Sequence, residues 1–216
     1  MPTLIPDKLT PLSSAQAVNA LREGYRRVFG AVPSDGVLAV LVAQSALETG
    51  RWRLIHWNNF GNEKLGGYDG KYCQFACDEI INSRQRWFYP PHPATSFRAY
   101  DTAEEGAEAH IRFLSQSQRY AEAWEQILRG DPAAFSKALK AHGYYTANEV
   151  QYTAAVVSLF REFLAVIRSY EPPVIGPSTD DLHVLAVDAA YRFPAHVDRP
   201  ELELEADTEP PPPEVA

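Results

Sequence analysis

The stretch Ala43-Gln44-Ser45-Ala46-Leu47-Glu48-Thr49-Gly50 closes a predicted helix around which the rest of the fold can be built. The helix opens at Pro33-Ser34-Asp35, where a serine can cap the free backbone N–H groups, and Gly50 ends it. One stripe of this helix carries Val37, Leu41, Gln44 and Glu48. Because Glu48 shares a stripe with apolar residues, we expect its side chain to face the interior or a cleft.

The position of Glu48 predicts an unusual acid. Burial disfavours the charged carboxylate, and the C-terminal end of a helix presents negative dipole, so both should raise its pKa. A carboxyl group that stays protonated near neutral pH can donate a proton to the leaving oxygen of a glycosidic bond. The alternative is an ordinary glutamate paired with Arg51 or Arg53.

Other helices flank this one, so the fold class predicted is mainly α. Capping and periodicity place them from Ser13 or Ser14 to Phe29, from Thr102 (with Glu105 in a capping box), from Tyr120 to Leu128, from Asp131-Pro132 to Gly143, and from Asn148 to Tyr170. Residues 51–100 lack a sustained helical period and predict loops with a small hairpin or two. We therefore expect an irregular lead-in (1–13), one domain (14–170) and a Pro-rich, acidic and partly disordered tail (171–216).

A polar and aromatic stretch, Trp57-Asn58-Asn59-Phe60-Gly61-Asn62, follows the helix. Its amides and rings are typical of a sugar-binding groove. The combination of A-Q-S-A-L-E-T-G with N-N-F-G resembles the glucosaminidase family of bacterial peptidoglycan hydrolases, of the flagellar hydrolase and autolysin type. Downstream matches are Phe97-Arg98-Ala99-Tyr100-Asp101, Arg119-Tyr120, Phe135 to Leu139, and Gly143-Tyr144-Tyr145-Thr146 with Tyr152. The resemblance covers about residues 14 to 168 and implies a lysozyme-like helical domain with a small β-lobe across a cleft.

Two places depart from the family pattern. Arg51-Trp52 shifts the usual tryptophan by one position. The N-N-L-F-G stretch of the family lacks one residue here, and Asn62-Glu63-Lys64 replaces its I-K. These differences fall close to the predicted acid.

The resemblance implies a catalytic set. Glu48 matches the general acid, and Tyr144 matches a functional tyrosine that could hold the substrate's acetamido group, with core packing as the alternative. The second carboxylate would come from the β-lobe, where Glu79 is favoured over Asp78 and Glu63.

The remaining predicted contacts concern substrate binding. Asn58 and Asn59 would bind sugar or brace the loop, and the candidate aromatic contacts are Trp57, Phe60, Tyr100 and Tyr152. The run Trp87-Phe88-Tyr89 is suited either to gripping a glycan or to contacting a partner. The resemblance assigns it no role.

The implied activity is that of an endo-β-N-acetylglucosaminidase acting on peptidoglycan glycan strands. Two alternatives stay open. One is a lytic transglycosylase or muramidase of similar fold, and the other is an inactive wall-binding module of a phage tail or secretion apparatus.

Composition excludes several partners. The net charge is −8, of which six acidic residues lie in 201–214, so the body carries about −2 and offers no basic face for nucleic acid or an anionic membrane. Cys73 and Cys77 fit two half-buried thiols or a local disulfide better than zinc, and we expect neither metal nor cofactor.

The N-terminal stretch indicates how the protein would reach its substrate. Met1 to Leu12 shows no secretory signal, so we expect a protein that is made in the cytoplasm and delivered to the periplasm or cell wall by another system. We expect it to be a monomer. The tail could act as a docking arm for that system or simply as a solubilising segment.

Overall fold

A computed structural model describes residues 1–81 and 84–169 and confirms the mainly helical prediction. The α-helices are α1 (Ser14–Phe29), α2 (Asp35–Glu48), α3 (Ala103–Gln116), α4 (Ala121–Arg129), α5 (Pro132–Ala141) and α6 (Glu149–Ser169). The strands are β1 (Thr3–Leu4), β2 (Lys71–Gln74), β3 (Cys77–Ile81), β4 (Arg84–Phe88) and β5 (Ser96–Arg98). The predicted tail lies outside the described residues.

Helix α2 is the centre of the core. Every residue from Val37 to Leu47 is buried, so the helix has no solvated face, which requires neighbours on all sides. The longest of these neighbours, α6, packs along α2, and α1 packs against α3. The core is lined by apolar side chains from all six helices.

The predicted caps explain where these helices begin and end. The Ser34 hydroxyl accepts the Val37 N–H at the start of α2, and Thr102 with Glu105 forms a full capping box at the start of α3. Gly30 ends α1 in the left-handed conformation that favours glycine.

The β-structure consists of two small sheets, as expected for a small β-lobe. Strand β2 is central in the first sheet, parallel to β1 and antiparallel to β5. Strands β3 and β4 form a separate antiparallel hairpin, with Glu79 opposite Arg86. Cys73 and Cys77, on β2 and β3, are both buried, and their thiols are not joined in a disulfide.

The lead-in is largely irregular, but it is bound to the rest of the fold. The N–H groups of Thr3 and Ile5 donate to the carbonyls of Gly70 and Tyr72, and the Trp57 indole donates to the carbonyl of Pro6 at 2.8 Å. Residues 3–5 therefore form one edge of the β-lobe rather than a separate segment.

Helix α6 is long and apolar enough to cross a membrane by length and composition alone. In this fold one of its faces packs against α2 and α5, as in an amphipathic helix of a helical domain. That buried face consists of Tyr152, Val156, Leu159, Phe163 and Ile167.

Candidate active site

Glu48 is the last residue of α2, and the chain is held firmly as it leaves the helix. The Asn62 amide donates to the Glu48 carbonyl at 2.6 Å. Arg51 and Trp52 then adopt consecutive left-handed conformations, with φ of 57° and 59°. The fully buried Trp52 indole donates to the Ser45 hydroxyl at 3.0 Å, which anchors this turn against α2. The backbone that carries Glu48 is thus fixed on both sides.

The Glu48 carboxyl is half-buried and bonded to α6. The Tyr152 hydroxyl donates to its Oε1 at 2.7 Å. Burial raises the pKa of Glu48 well above its ordinary value, and hydrogen bonds from Tyr152 and Gln44 oppose this rise. Because burial has the larger effect, the site favours the protonated acid that the sequence predicted.

Tyr144 and Tyr152 both contact the last turn of α2. Tyr144 is buried in the loop before α6, and its hydroxyl accepts the Gln44 amide N–H at 2.8 Å. Tyr152 stacks on Tyr145 with ring centroids 3.7 Å apart. Burial raises the pKa of Tyr152 well above its ordinary value, and the neighbouring Glu48 adds to this, so the phenol is kept as a donor. Tyr152 thus contacts the acid directly, whereas Tyr144 contacts Gln44.

The asparagine pair braces the loop from inside. Asn58 is buried, and its amide donates to the Tyr100 carbonyl at 2.9 Å. Asn59 is also buried; it accepts the Glu63 N–H at 2.8 Å and donates to the Glu63 carbonyl at 2.9 Å. Of the two roles predicted for this pair, the structure places both amides in bracing positions.

The aromatic residues predicted to contact a glycan differ in their exposure to solvent. Phe60 is fully buried and Tyr100 nearly so, and neither presents an open ring face in this structure. Trp57 is half-buried with the Lys8 ammonium 5.4 Å from its ring centre. In the aromatic run Trp87-Phe88-Tyr89, the first and last side chains are clearly exposed, at 56% and 66%.

The three candidates for a second carboxylate are in different environments. Glu63 is buried, and its carboxylate pairs with Arg98 at 2.9 Å, so it cannot activate a solvent water. Asp78, in the β3–β4 hairpin, accepts the Gln85 amide at 2.6 Å. Glu79 lies beside it in β3.

Sequence reasoning missed a group of buried polar residues behind Glu48. Gln44, Glu63 and His110 are all buried and are joined by hydrogen bonds. The available signal was a polar residue on an otherwise apolar helix stripe: Gln44 among Val37 and Leu41, and His110 among Ala107, Ile111 and Leu114. Within residues 1–81 and 84–169, no cluster of three or more His, Cys, Asp or Glu could hold a metal ion.

Comparison with known proteins bears on this site. A family model named Glucosaminidase and described as mannosyl-glycoprotein endo-beta-N-acetylglucosaminidase matches residues 35–164. No curated protein and no solved structure gives a significant match. The matched stretch runs from the first residue of α2 into α6 and includes Glu48, Glu79, Tyr144 and Tyr152. It spans more than half of the 216 residues, and the chain therefore belongs to the glucosaminidase family of glycoside hydrolases.

Proposed function

We propose that this protein is an endo-β-N-acetylglucosaminidase that cuts the glycan strands of peptidoglycan, with Glu48 as general acid. Family membership supports a glycoside hydrolase with a peptidoglycan substrate. The single observation that carries the residue assignment is the Glu48 carboxyl at the end of α2, where burial raises its pKa and Tyr152 donates to Oε1. This is the protonation state that cleavage of a glycosidic bond requires.

The same contacts suit the step in which the proton leaves. Protonated Glu48 would donate to the glycosidic oxygen as the bond to the anomeric carbon breaks, and the sugar would develop oxocarbenium character. The carboxylate left behind is then stabilised by the Tyr152 hydroxyl and the Gln44 amide, which favour the charged form. Both donors are in place before the reaction and need no reorganisation.

The attacking group completes the proposal. A carboxylate in the β3–β4 hairpin, for which we favour Glu79, would activate water on the far side of the sugar. The substrate's own acetamido group is the alternative. In our proposal the enzyme acts in the periplasm or cell wall after delivery by another system.

Glu48→Gln tests the assignment. The substitution keeps the shape and removes the proton donor, so clearance of a peptidoglycan suspension should slow by about 10²–10⁴-fold, the usual contribution of a general acid. The matched control is Glu125→Gln on the exposed surface of α4, which removes a weak pair with Arg129 and should clear at the wild-type rate. Clearance by Glu48→Gln at the wild-type rate contradicts the assignment, and no clearance by any form indicates a binding module.

Mass spectrometry of the digest identifies the bond that is cut. A reducing N-acetylglucosamine end supports the proposed specificity. A reducing N-acetylmuramic acid end indicates a muramidase, and an anhydro end a lytic transglycosylase. Glu79→Gln should abolish turnover if that carboxylate activates water. Near-full activity would indicate a reaction in which Glu48 is the one catalytic carboxylate, as in the transglycosylase alternative.

A further inference from the structure

Gln44 connects the acid to the protein interior. It lies one helical turn before Glu48, so both side chains emerge on the same side of α2. It is fully buried, and its Nε2 donates to the Tyr144 hydroxyl at 2.8 Å. A hydrogen bond from Gln44 also lowers the pKa of Glu48. The two N–H groups of a primary amide are thereby used, and its oxygen must face elsewhere.

That oxygen faces His110 on α3. The His110 Nε2 lies 2.8 Å from Gln44 Oε1. An amide oxygen only accepts, so Nε2 must carry a hydrogen. The orientation of the amide is supported from the other side, because the Tyr144 hydroxyl has the Gly61 carbonyl as its own acceptor at 3.5 Å.

The opposite ring nitrogen faces a carboxylate. His110 Nδ1 lies 3.2 Å from Glu63 Oε1, and Glu63 Oε2 accepts from Arg98 at 2.9 Å and from the Tyr100 hydroxyl at 3.4 Å. An ionised carboxylate also only accepts, so Nδ1 must carry a hydrogen as well. His110 is fully buried, and this contact with Glu63 gives Nδ1 a hydrogen-bond partner inside the protein.

The loop is shaped to admit the ring. A Cβ added to Gly61 would lie 2.5 Å from His110 Nδ1, so only glycine allows the backbone to approach this closely. Asn59 holds Glu63 through its N–H and its carbonyl, at 2.8 and 2.9 Å. The residues after α2 therefore place a carboxylate against His110.

We propose that His110 is a positioning residue: held by Glu63 with hydrogen on both ring nitrogens, it fixes the Gln44 amide so that its N–H groups point at Tyr144 and Glu48. The inference rests on the proposed function, since it assigns to this network the task of presenting the acid. If the amide were reversed, its oxygen would face the carboxylate of Glu48 and its donors would face His110. The fixed orientation therefore stabilises the carboxylate that forms when Glu48 gives up its proton.

The hydrogen count is tested on the wild-type protein by ¹⁵N NMR of labelled histidine rings, which does not depend on activity. His110 is identified among the six histidines as the ring whose signals vanish in His110→Gln. From the two hydrogen bonds we expect both ring nitrogens of His110 to carry a hydrogen. A ring with one bare nitrogen overturns the proposal.

The positioning role is tested by Gln44→Met and Gln44→Glu. Methionine keeps the volume and removes the donors, and glutamate accepts from His110 but brings a negative charge towards Glu48. We expect kcat to fall roughly 10- to 100-fold with KM unchanged, as for misplaced catalytic groups. The pH at which kcat falls on the alkaline side should rise from the wild type to Gln44→Met and again to Gln44→Glu. Each of these changes makes the Glu48 carboxylate less favourable. The control on the same helix as His110 is Ser115→Ala, which should leave kcat and the limb unchanged.

The outcomes separate the two proposals. If the alkaline limb of the kcat profile is unshifted in both Gln44 variants while Glu48→Gln is inactive, the positioning role is overturned. The proposed function then still stands. Full activity of Glu48→Gln overturns the proposed function, while the NMR measurement still decides the hydrogen count. Should the Gln44 variants fail to fold, the spectrum of the wild-type protein still gives the answer.

Discussion

At the scale of single residues, Glu48 is set apart by competition between burial and hydrogen bonding. Burial raises its pKa, and two donors, Tyr152 and Gln44, lower it without reversing the shift. A carboxyl group in water would be mostly ionised at neutral pH, with a pKa of about 4.3. The fold thus favours the protonated form of Glu48, which is the form that the proposed reaction uses.

Stability should reveal this protonated form. Between about pH 4.3 and the raised pKa of the folded state, the folded protein keeps a proton that the unfolded chain releases. The contribution of Glu48 to the free energy of unfolding is therefore fully present below about pH 4 and is lost as pH rises through the folded-state pKa. In urea denaturation across pH, the wild-type value minus that of Glu48→Gln should decline over this window. A difference that is constant with pH would contradict the raised pKa.

Tyr152→Phe should move the pH profile of activity. The Tyr152 hydroxyl favours the Glu48 carboxylate, so its loss should raise the pKa of Glu48 and shift the alkaline limb of kcat to higher pH. Tyr145→Phe is the control, because its ring stacks on Tyr152 while its hydroxyl donates to the Ser136 carbonyl. An equal shift in both variants would assign the effect to ring packing.

At the scale of elements, α3 contributes both the buried His110 and a weak point. The hydroxyl of Ser115, partly buried on the same helix, has no hydrogen-bond partner among the described residues. Serine is also a poorer helix former than alanine, by a fraction of a kcal/mol. The position therefore lowers stability, and it lies outside the contacts of Glu48.

Ser115→Ala should raise the free energy of unfolding by about 1 kcal/mol, since it removes an unsatisfied hydroxyl and improves helix propensity. Chemical denaturation monitored by circular dichroism measures the change. Ser117→Ala just after the helix, where no buried hydroxyl is relieved, should have a smaller effect. A destabilised Ser115→Ala would mean that the hydroxyl has a partner in solution.

The helices and their ends were the part of the structure that the sequence predicted best. Ser34, Thr102 with Glu105, and Gly30 mark helix ends by local chemistry, and the predicted helix from Asn148 to Tyr170 is observed as Glu149–Ser169. The predicted acid also lies where its stripe indicated. The network behind it was not predictable, because Gln44, Glu63, Arg98 and His110 are joined only by tertiary contacts, and no local pattern distinguishes Glu63 from Asp78 or Glu79.

At the scale of the whole molecule, the N-terminal residues link the first sheet to the loop that follows α2. Strand β1 extends the sheet, and Asp7 pairs with His56 at 2.7 Å, whose ring stacks on Phe75. No local pattern indicates this role, since β1 is two residues long and its pairing depends on β2, almost seventy positions away.

Deleting residues 1–7 should loosen the β-lobe selectively. The deletion removes the bonds to Gly70 and Tyr72 and leaves β2 with one neighbour. Hydrogen exchange should speed up for amides of Lys71–Gln74 and change little in α2, which is buried among helices. Uniformly faster exchange would show instead that residues 1–7 support the entire fold.

The ion pairs of Glu63 have a consequence for how this sequence can evolve. Glu63 is almost fully buried between Arg98 and His110, so losing Glu63 alone leaves the Arg98 guanidinium without its carboxylate, at a cost of about 3–5 kcal/mol. That is a large part of the 5–15 kcal/mol by which domains are typically stable. Descendants of this chain should keep Glu63 wherever Arg98 is kept, and a saturation mutagenesis library should show few survivors in which Glu63 alone is altered.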